Sequence, residues 1–485
     1  MKQVISFFLP VIFFLITTVV SAQSTGIGTP TPNASSVLDV SSNSKGLLIP
    51  RMGSAQRKAI VLPATGLMVY DLDKNTVYMY DGAKWQPLLF STNENSLPPA
   101  GRTVSDGAAN DQLGTTVSIN GNYAIVGALV KSSLLPPNPT DNKGAAYIFF
   151  RNGTTWVQQA KLFAADLSIA ANFGTSVSIN GDYAVVGAAA NDVGTNAAQG
   201  SAYIYRRTGS TWTQQAKITA ADGAAGDNFG RSVSISGDYV IAGSSSCTIS
   251  GNTRQGAAYI FFKGAAWTTG QAYQSKLIAN DGAANDFFGT SVCIDGDYVI
   301  VGAIANLNKG AAYIYGRIGA SWLGLAKLTA DDGAVNDFFG YSVGLSGDYA
   351  IVGSHSNDIN GNTDQGSAYI FFRNTGWVSG QPYQAKLTAV VGAPNDHYGI
   401  AVNISSDYAL AGAYGQTVNS TIEQGAGYLY KRNGNAWNLV RRIDDGSGMP
   451  GGYFGFSLAM QGFNIIIGAF GKNNSQGEIS FLNIE

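Results

Sequence analysis

The sequence predicts an all-β protein: a seven-bladed β-propeller of four-stranded antiparallel blades, preceded by a small β-containing N-terminal module. Three observations carry that reading. An aromatic residue or leucine followed by glycine recurs seven times at a near-constant interval. Each interval divides into four strand-like segments separated by turn signals. The repeat region has no helix-length segment with the 3.6-residue apolar period, so sheet must pack on sheet.

The recurring dipeptides are Leu113-Gly114, Phe173-Gly174, Phe229-Gly230, Phe288-Gly289, Phe339-Gly340, Tyr398-Gly399 and Phe454-Gly455, and successive glycines lie 60, 56, 59, 51, 59 and 56 residues apart. The second unit shows the internal plan. "FGTSVSI" (173–179) alternates apolar and small polar residues, "NGD" (180–182) is a tight-turn signal, and "YAVVGA" (183–188) is a β-branched second strand. After a loop, "GSAYIYRR" (200–207) and "WTQQAKITA" (212–220) supply the third and fourth strands.

Aromatic residues recur in step. Tyr123, Tyr183, Tyr239, Tyr298, Tyr349, Tyr408 and Phe463 are expected to open the second strands, and Tyr147, Tyr203, Tyr259, Tyr313, Tyr369 and Tyr428 sit in the third. Six of the seven Trp, from Trp156 to Trp437, are expected to begin fourth strands. A ring repeated at one place in every unit reads as blade packing, each contributing about 1.5–3 kcal/mol on burial.

Unit seven ends in "GEISFLNIE" (477–485) without a Trp-initiated fourth strand. An uncovered edge exposes unpaired amides, so the segment around 100–105 is expected to complete that blade beside 478–484. "KWQPLLF" (84–90) is the competing donor.

Composition agrees with sheets and tight turns. The chain of 485 residues is 45% hydrophobic and 12% charged, with 61 glycines and a formal net charge of −2. Without a basic field, nucleic acid is excluded as a partner class. Lys2, the apolar stretch Val4 to Val20 and the small-residue site Val20-Ser21-Ala22 read as a signal peptide over 1–22, with no membrane span after cleavage. The expected location is secreted, periplasmic or at the cell surface. Only Cys247 and Cys293 are present, so no disulfide framework holds the fold. Two separate small buried residues is the favoured reading, with a single bond between them the alternative.

The units resemble FG-GAP repeats, the blades of the integrin α-subunit N-terminal propeller, and still more the bacterial variety. The match lies in "FGTSVCIDGDYVIVGA" (288–303), "GAAYIF" and the "WxQQAKL" pattern, and it covers about residues 100–485. The resemblance implies the propeller and a binding role. Integrin-type blades carry a DxDxDG calcium loop where this chain has only a tight turn such as "SGD" (236–238), so calcium is possible but not favoured and no cofactor is expected. Residues 23–98 resemble a leader module common on secreted Bacteroidota proteins, with short strands expected at Gly66–Tyr70 and Val77–Tyr80, and 91–101 reads as a linker. The expected organisation is therefore 1–22, 23–98 and a propeller over 99–485.

Chemistry-bearing residues are few. His355 and His397 are the only histidines; His355 shares a loop with Asp358, and Asp396 directly precedes His397. These four are candidate ligand-face residues, for which a metal or acid–base site is one reading. The other is that His397 replaces Phe338, its equivalent one unit earlier, as a half-buried ring. Paired acids recur between units as Asp106/Asp111, Asp222/Asp227, Asp281/Asp286 and Asp332/Asp337. A pair repeated in four units reads as turn structure; a weak calcium site and catalysis are the alternatives. The sequence therefore predicts a non-enzymatic exported scaffold. Its protein or glycan ligand is expected on the loops between second and third strands, which vary most among units. A polysaccharide-degrading propeller and a structural envelope protein are the alternatives.

Overall fold

The computed structural model describes residues 25–27, 38–40, 42, 44, 47–73, 76–87, 101–131 and 142–484. The signal peptide expected over 1–22, nearly all of the linker and residues 132–141 of the first 2–3 loop lie outside them. The chain divides into two compact units, Met1–Asn95 and Ser96–Glu485. No helix among the described residues is long and apolar enough to cross a membrane.

In the first unit, Arg51–Met52 runs parallel to Met68–Asp71, which continues antiparallel into Thr76–Tyr80 and Trp85–Pro87. Its centre is an ion pair at 2.8 Å between Arg57, on the short helix Ser54–Lys58, and the buried Asp71. The guanidinium also lies 3.7 Å from the ring centre of Tyr78.

The second unit contains seven four-stranded antiparallel sheets. Blade two is representative: Phe173–Asn180, Tyr183–Ala188, Ser201–Thr208 and Thr211–Ile218 pair in sequence order. The first strands of successive blades pack on one another in a closed circle, so they line the axis and the fourth strands face outward. Third-strand tyrosines, Tyr147, Tyr203, Tyr259 and Tyr369 among them, are fully buried between blades.

The blade seam explains why the two glycines of the repeat recur. A Cβ on Gly187, in the second strand of blade two, would overlap the carbonyl oxygen of Gly230, which opens blade three. The same overlap meets Gly127 on Gly174, Gly243 on Gly289, Gly302 on Gly340, Gly353 on Gly399, Gly412 on Gly455 and, closing the ring, Gly468 on Gly114. At six seams a hydroxyl of the same blade donates to that carbonyl: Thr116, Ser176, Ser232, Ser291, Ser342 and Ser457, at 2.6–2.8 Å. At the seam between blades six and seven the equivalent residue is Ala401.

The ring closes through the segment before blade one. Ile479 pairs with Arg102 and Ser480 with Gly101, so two residues complete blade seven. Trp85 belongs instead to the sheet of the first unit. Two expectations need correction. Phe463 does not open the second strand of blade seven; Asn464 does, paired with Gln461, and Phe463 stands in the turn, 42% exposed. Trp267 and Trp377 are buried but precede their fourth strands, which begin only at Ser275 and Ala385. The longer "WTTGQAYQSKL" and "WVSGQPYQAKL" segments place extra residues between ring and ladder.

The seam predicts two opposite outcomes. Gly187→Ala is expected to destabilise the propeller by about 3 kcal/mol, since backbone on both sides must move. Ala401→Ser is expected to stabilise it by about 1 kcal/mol by supplying the missing donor. Denaturant midpoints of the two variants check both, and a Gly187→Ala midpoint equal to wild type contradicts the seam.

Candidate functional site

The two ends of the propeller are built differently. At one end, the turn joining first and second strands in each blade accepts from a backbone amide in the next blade's turn. Asn120 Oδ1 accepts from Gly181 at 3.1 Å, Asn180 from Gly237, Ser236 from Gly296, Asp295 from Gly347, Ser346 from Ser406, Ser405 from Gly462 and Gln461 from Gly121. That circle is complete, and its side chains are committed to the fold.

At the other end each first strand begins and each second strand finishes. The residue before each recurring aromatic-glycine pair has a left-handed backbone there: Gln112, Asn172, Asn228, Phe287, Phe338, His397 and Tyr453, with φ between 53° and 57°. At five of these positions, 112, 228, 287, 397 and 453, the amide is held by a carbonyl of the preceding blade. Phe287 N donates to Arg254 O at 3.0 Å, His397 N to Asp364 O at 3.1 Å and Tyr453 N to Glu423 O at 3.1 Å. Asn tolerates this region best, whereas a bulky ring there costs on the order of 1 kcal/mol. Blades two and three use Asn; blades four to seven use rings.

The position after the second strand changes in step. It is Leu129, Ala189, Ser245 and Ile304 in blades one to four, then His355, Tyr414 and Phe470. In blades five, six and seven the two positions stack face to face. Phe338 lies on His355 (5.6 Å, 16°), His397 on Tyr414 (5.0 Å, 5°) and Tyr453 on Phe470 (5.1 Å, 19°). The pairs touch across the seams, His355 to His397 at 5.8 Å and Tyr414 to Tyr453 at 5.7 Å. Tyr341 packs on His355, and Phe456 packs on Tyr414 and Phe470. All eight rings are half-buried, forming a continuous aromatic arc over three blades of the axial rim.

The structure brings two of the four candidate residues together and separates the others. His355 and His397 are neighbours in the arc, His397 as a half-buried ring at the place of Phe338. Burial and the neighbouring His397 hold His355 down to about 4. Nδ1 of each imidazole has no hydrogen-bond partner in the protein, so no carboxylate orients either as a general base. Asp358 instead accepts from Asp364 N at 2.9 Å, and Asp396, its carboxyl pushed up by burial, accepts from Ala393 N at 2.9 Å.

The repeated acids are likewise occupied. Asp106, Asp222, Asp281 and Asp332 pair with Lys161, Lys276, Lys327 and Lys386 at 2.5–2.7 Å. Asp111, Asp227, Asp286 and Asp337 accept from the backbone amide three residues earlier at 2.7–2.8 Å. Among the described residues, no group of three or more His, Cys, Asp or Glu is placed to hold a metal ion. Cys247 and Cys293 are unbonded. The 2–3 loops vary in sequence, yet in blades two, three, five and six they contain the same small bridge, as between Val193 and Asn196 or Ile359 and Asn362.

Of the rings around the two histidines the sequence pointed only to Phe338; Tyr341, Tyr414, Tyr453, Phe456 and Phe470 carry no strand-face pattern of their own. A column-by-column alignment of the seven units carries the signal: Gln, Asn, Asn, Phe, Phe, His, Tyr before the aromatic-glycine pair.

Comparison with known proteins bears on the assignment. A model described as FG-GAP repeat matches residues 103–149, 156–205, 212–261, 272–315, 322–371 and 383–430, more than half of the chain. A model described as phage tail like trimerisation region matches residues 26–99. No curated protein matches. A chain of the solved structure titled "Crystal Structure of Mitotic Checkpoint Complex" is 12% identical with a TM-score of 0.47, covering 81% of this chain and 96% of that one, a likeness too slight to carry function.

The buried imidazole predicts a pH response. An unfolded histidine titrates near 6.5 and folded His355 near 4, so on acidification the unfolded chain takes up the proton first. The contribution of this group is complete above about pH 6.5 and is lost towards pH 4, on the order of 3 kcal/mol. His355→Phe is expected to remove that part of the dependence. Melting curves of both proteins between pH 7 and pH 4.5 check it, and parallel losses contradict it.

Proposed function

We propose that this chain, which belongs to the FG-GAP repeat family, is an exported, non-enzymatic binding scaffold that takes its ligand on the aromatic arc of the axial rim. A repeat propeller of this family supports a binding role in general. The observation that carries the more specific reading is internal to the repeat. Blades one to three close the same seams with Gln or Asn at the first position and Leu, Ala or Ser at the second, where blades five to seven carry stacked rings. The fold therefore does not require the arc, and the strained backbone under Phe338 and Tyr453 is retained for another purpose. Export, to the periplasm or cell surface, is motivated by Lys2, the apolar stretch and Val20-Ser21-Ala22.

A glycan and protein array probed with the full chain tests this reading against a triple variant, His355→Ser, Tyr414→Ala and Phe470→Ala. These are residues that blades two and three already use at the same position. Array binding is expected to fall at least tenfold in the variant and to survive Asn180→Ser on the opposite face. Binding untouched by the triple variant overturns it.

A second observation favours self-association of the first unit. Its match is to a trimerisation region, and it exposes Leu47, Leu48, Val61, Leu62 and Leu72, at 84% and 93% for Val61 and Leu62. Apolar side chains this exposed on a small unit are what neighbouring copies would cover, and three linked propellers would raise avidity. Light scattering on the full chain is expected to give a trimer, shifted towards monomer by Val61→Glu with Leu62→Glu. A wild-type monomer at micromolar concentration sinks this reading.

A further inference from the structure

We infer that the arc binds an uncharged saccharide chain, its rings stacking on sugar C–H faces while the polar half of the rim bonds hydroxyls. The inference rests on the binding role proposed for the same arc and adds the class of ligand.

Three features of the rim select that class. The first is charge. Asp396 and Asp358 are committed to backbone amides, the imidazole of His355 carries no charge at neutral pH, and the Glu423 carboxylate beside the arc accepts from the Tyr453 hydroxyl at 3.1 Å. Nothing in the arc matches a phosphate backbone, which needs a basic groove beside its stacking rings. Glu423 disfavours an acidic peptide in the same way, while a carboxylate accepts readily from sugar hydroxyls.

The second is geometry. The three stacked pairs are near-parallel within each blade and linked ring to ring across two seams. They form a strip several rings long rather than one isolated slot, which suits a chain of similar units. The rings are only half-buried, so the strip leaves apolar ring surface open on which a flat, partly apolar face can lie. A pyranose ring is such a face, edged by hydroxyls.

The third is the opposite half of the rim. The equivalents of Phe338, His397 and Tyr453 in blades one to three are Gln112, Asn172 and Asn228. Side-chain amides both donate and accept, matching sugar hydroxyls, which do the same; that of Asn228 already donates to Ala189 O at 3.2 Å, leaving Gln112 and Asn172 as the main donors. Apolar lining with a few polar groups that fix orientation is the usual composition of a small-ligand site.

The two imidazoles are the chain's only histidines, so their NMR signals report on the arc alone. The full chain is titrated with neutral hexasaccharides: β-1,4-linked glucose, α-1,4-linked glucose, β-1,4-linked mannose and β-1,4-linked N-acetylglucosamine. At least one is expected to shift both imidazole signals. Phe338→Asn and Tyr453→Asn are expected to weaken that binding at least tenfold. Both leave the histidines in place and install the residue that blades two and three carry, so the melting temperature is expected to stay within about 2 °C. The inference is overturned if no hexasaccharide binds, if one binds without moving the imidazoles, or if a dT16 oligonucleotide or a peptide moves them instead. In that last case the arc remains a binding site and only the saccharide assignment fails. Loss of all array binding on the rim would bring down the binding role itself.

Discussion

The backbones of neighbouring blades approach so closely that a hydrogen atom alone separates them, and the rest of the propeller is arranged around that contact. Where a second strand passes the start of the next blade, only a hydrogen atom fits between its Cα and the facing carbonyl oxygen, as at Gly187 and Gly230. At six of the seven seams a hydroxyl on the first-strand residue paired with that glycine, as Ser176 is with Gly187, donates to the same carbonyl, satisfying an acceptor that the approach would otherwise bury unpaired. Repeated seven times, this seam sets how far each blade is turned from the last. It closes from Gly468 back to Gly114 without a special joint. The short strand Gly101–Arg102 then has to cover only the remaining edge of blade seven.

A seam fixed by backbone leaves side chains nearby free to differ. Where the chain enters each blade, one residue lies in the left-handed region whatever its identity, its amide held at five of the seven places by the preceding blade. Asn fits that backbone at little cost; Phe and Tyr do not. Rings collected at these places over consecutive blades are thus a departure from what the fold favours, and departures of that kind concentrate where a surface has work other than holding itself together. The opposite end of the propeller shows the contrast, since its turn side chains are consumed in an unbroken circle of bonds to neighbouring turns.

The acidic links illustrate the reverse case, where residues that look chemical are structural. One carboxylate of each pair caps a turn, and the other meets a lysine from the outer strand that also lies over a third-strand tyrosine, as Lys327 does with Asp281 and Tyr313. The lysine thus stitches the link onto the blade it enters. Exposure of these pairs keeps each one modest in energy; their regular recurrence makes them part of the blade pattern.

Much of the fold was legible in the sequence because the repeat presents the same physical problem seven times. Period-2 alternation, tight-turn dipeptides and the recurring Gly pair define strands and blades locally, and the missing fourth strand after Ile479 pointed to the segment that fills it. Where residues were inserted before a strand, as after Trp267, local pattern misplaced the ring relative to its ladder. Of the candidate site, the chain itself disclosed only that two histidines and two acids fall at one end of the propeller. That the histidines meet at 5.8 Å and join a strip of stacked rings was decided by the tertiary structure. So was the fate of Asp358 and Asp396, each bound to a nearby amide instead. The reason is physical. Strand pattern is written in neighbours along the chain, whereas the arc is assembled from single residues about 60 apart, each projecting from an irregular backbone position that only the adjoining blade determines.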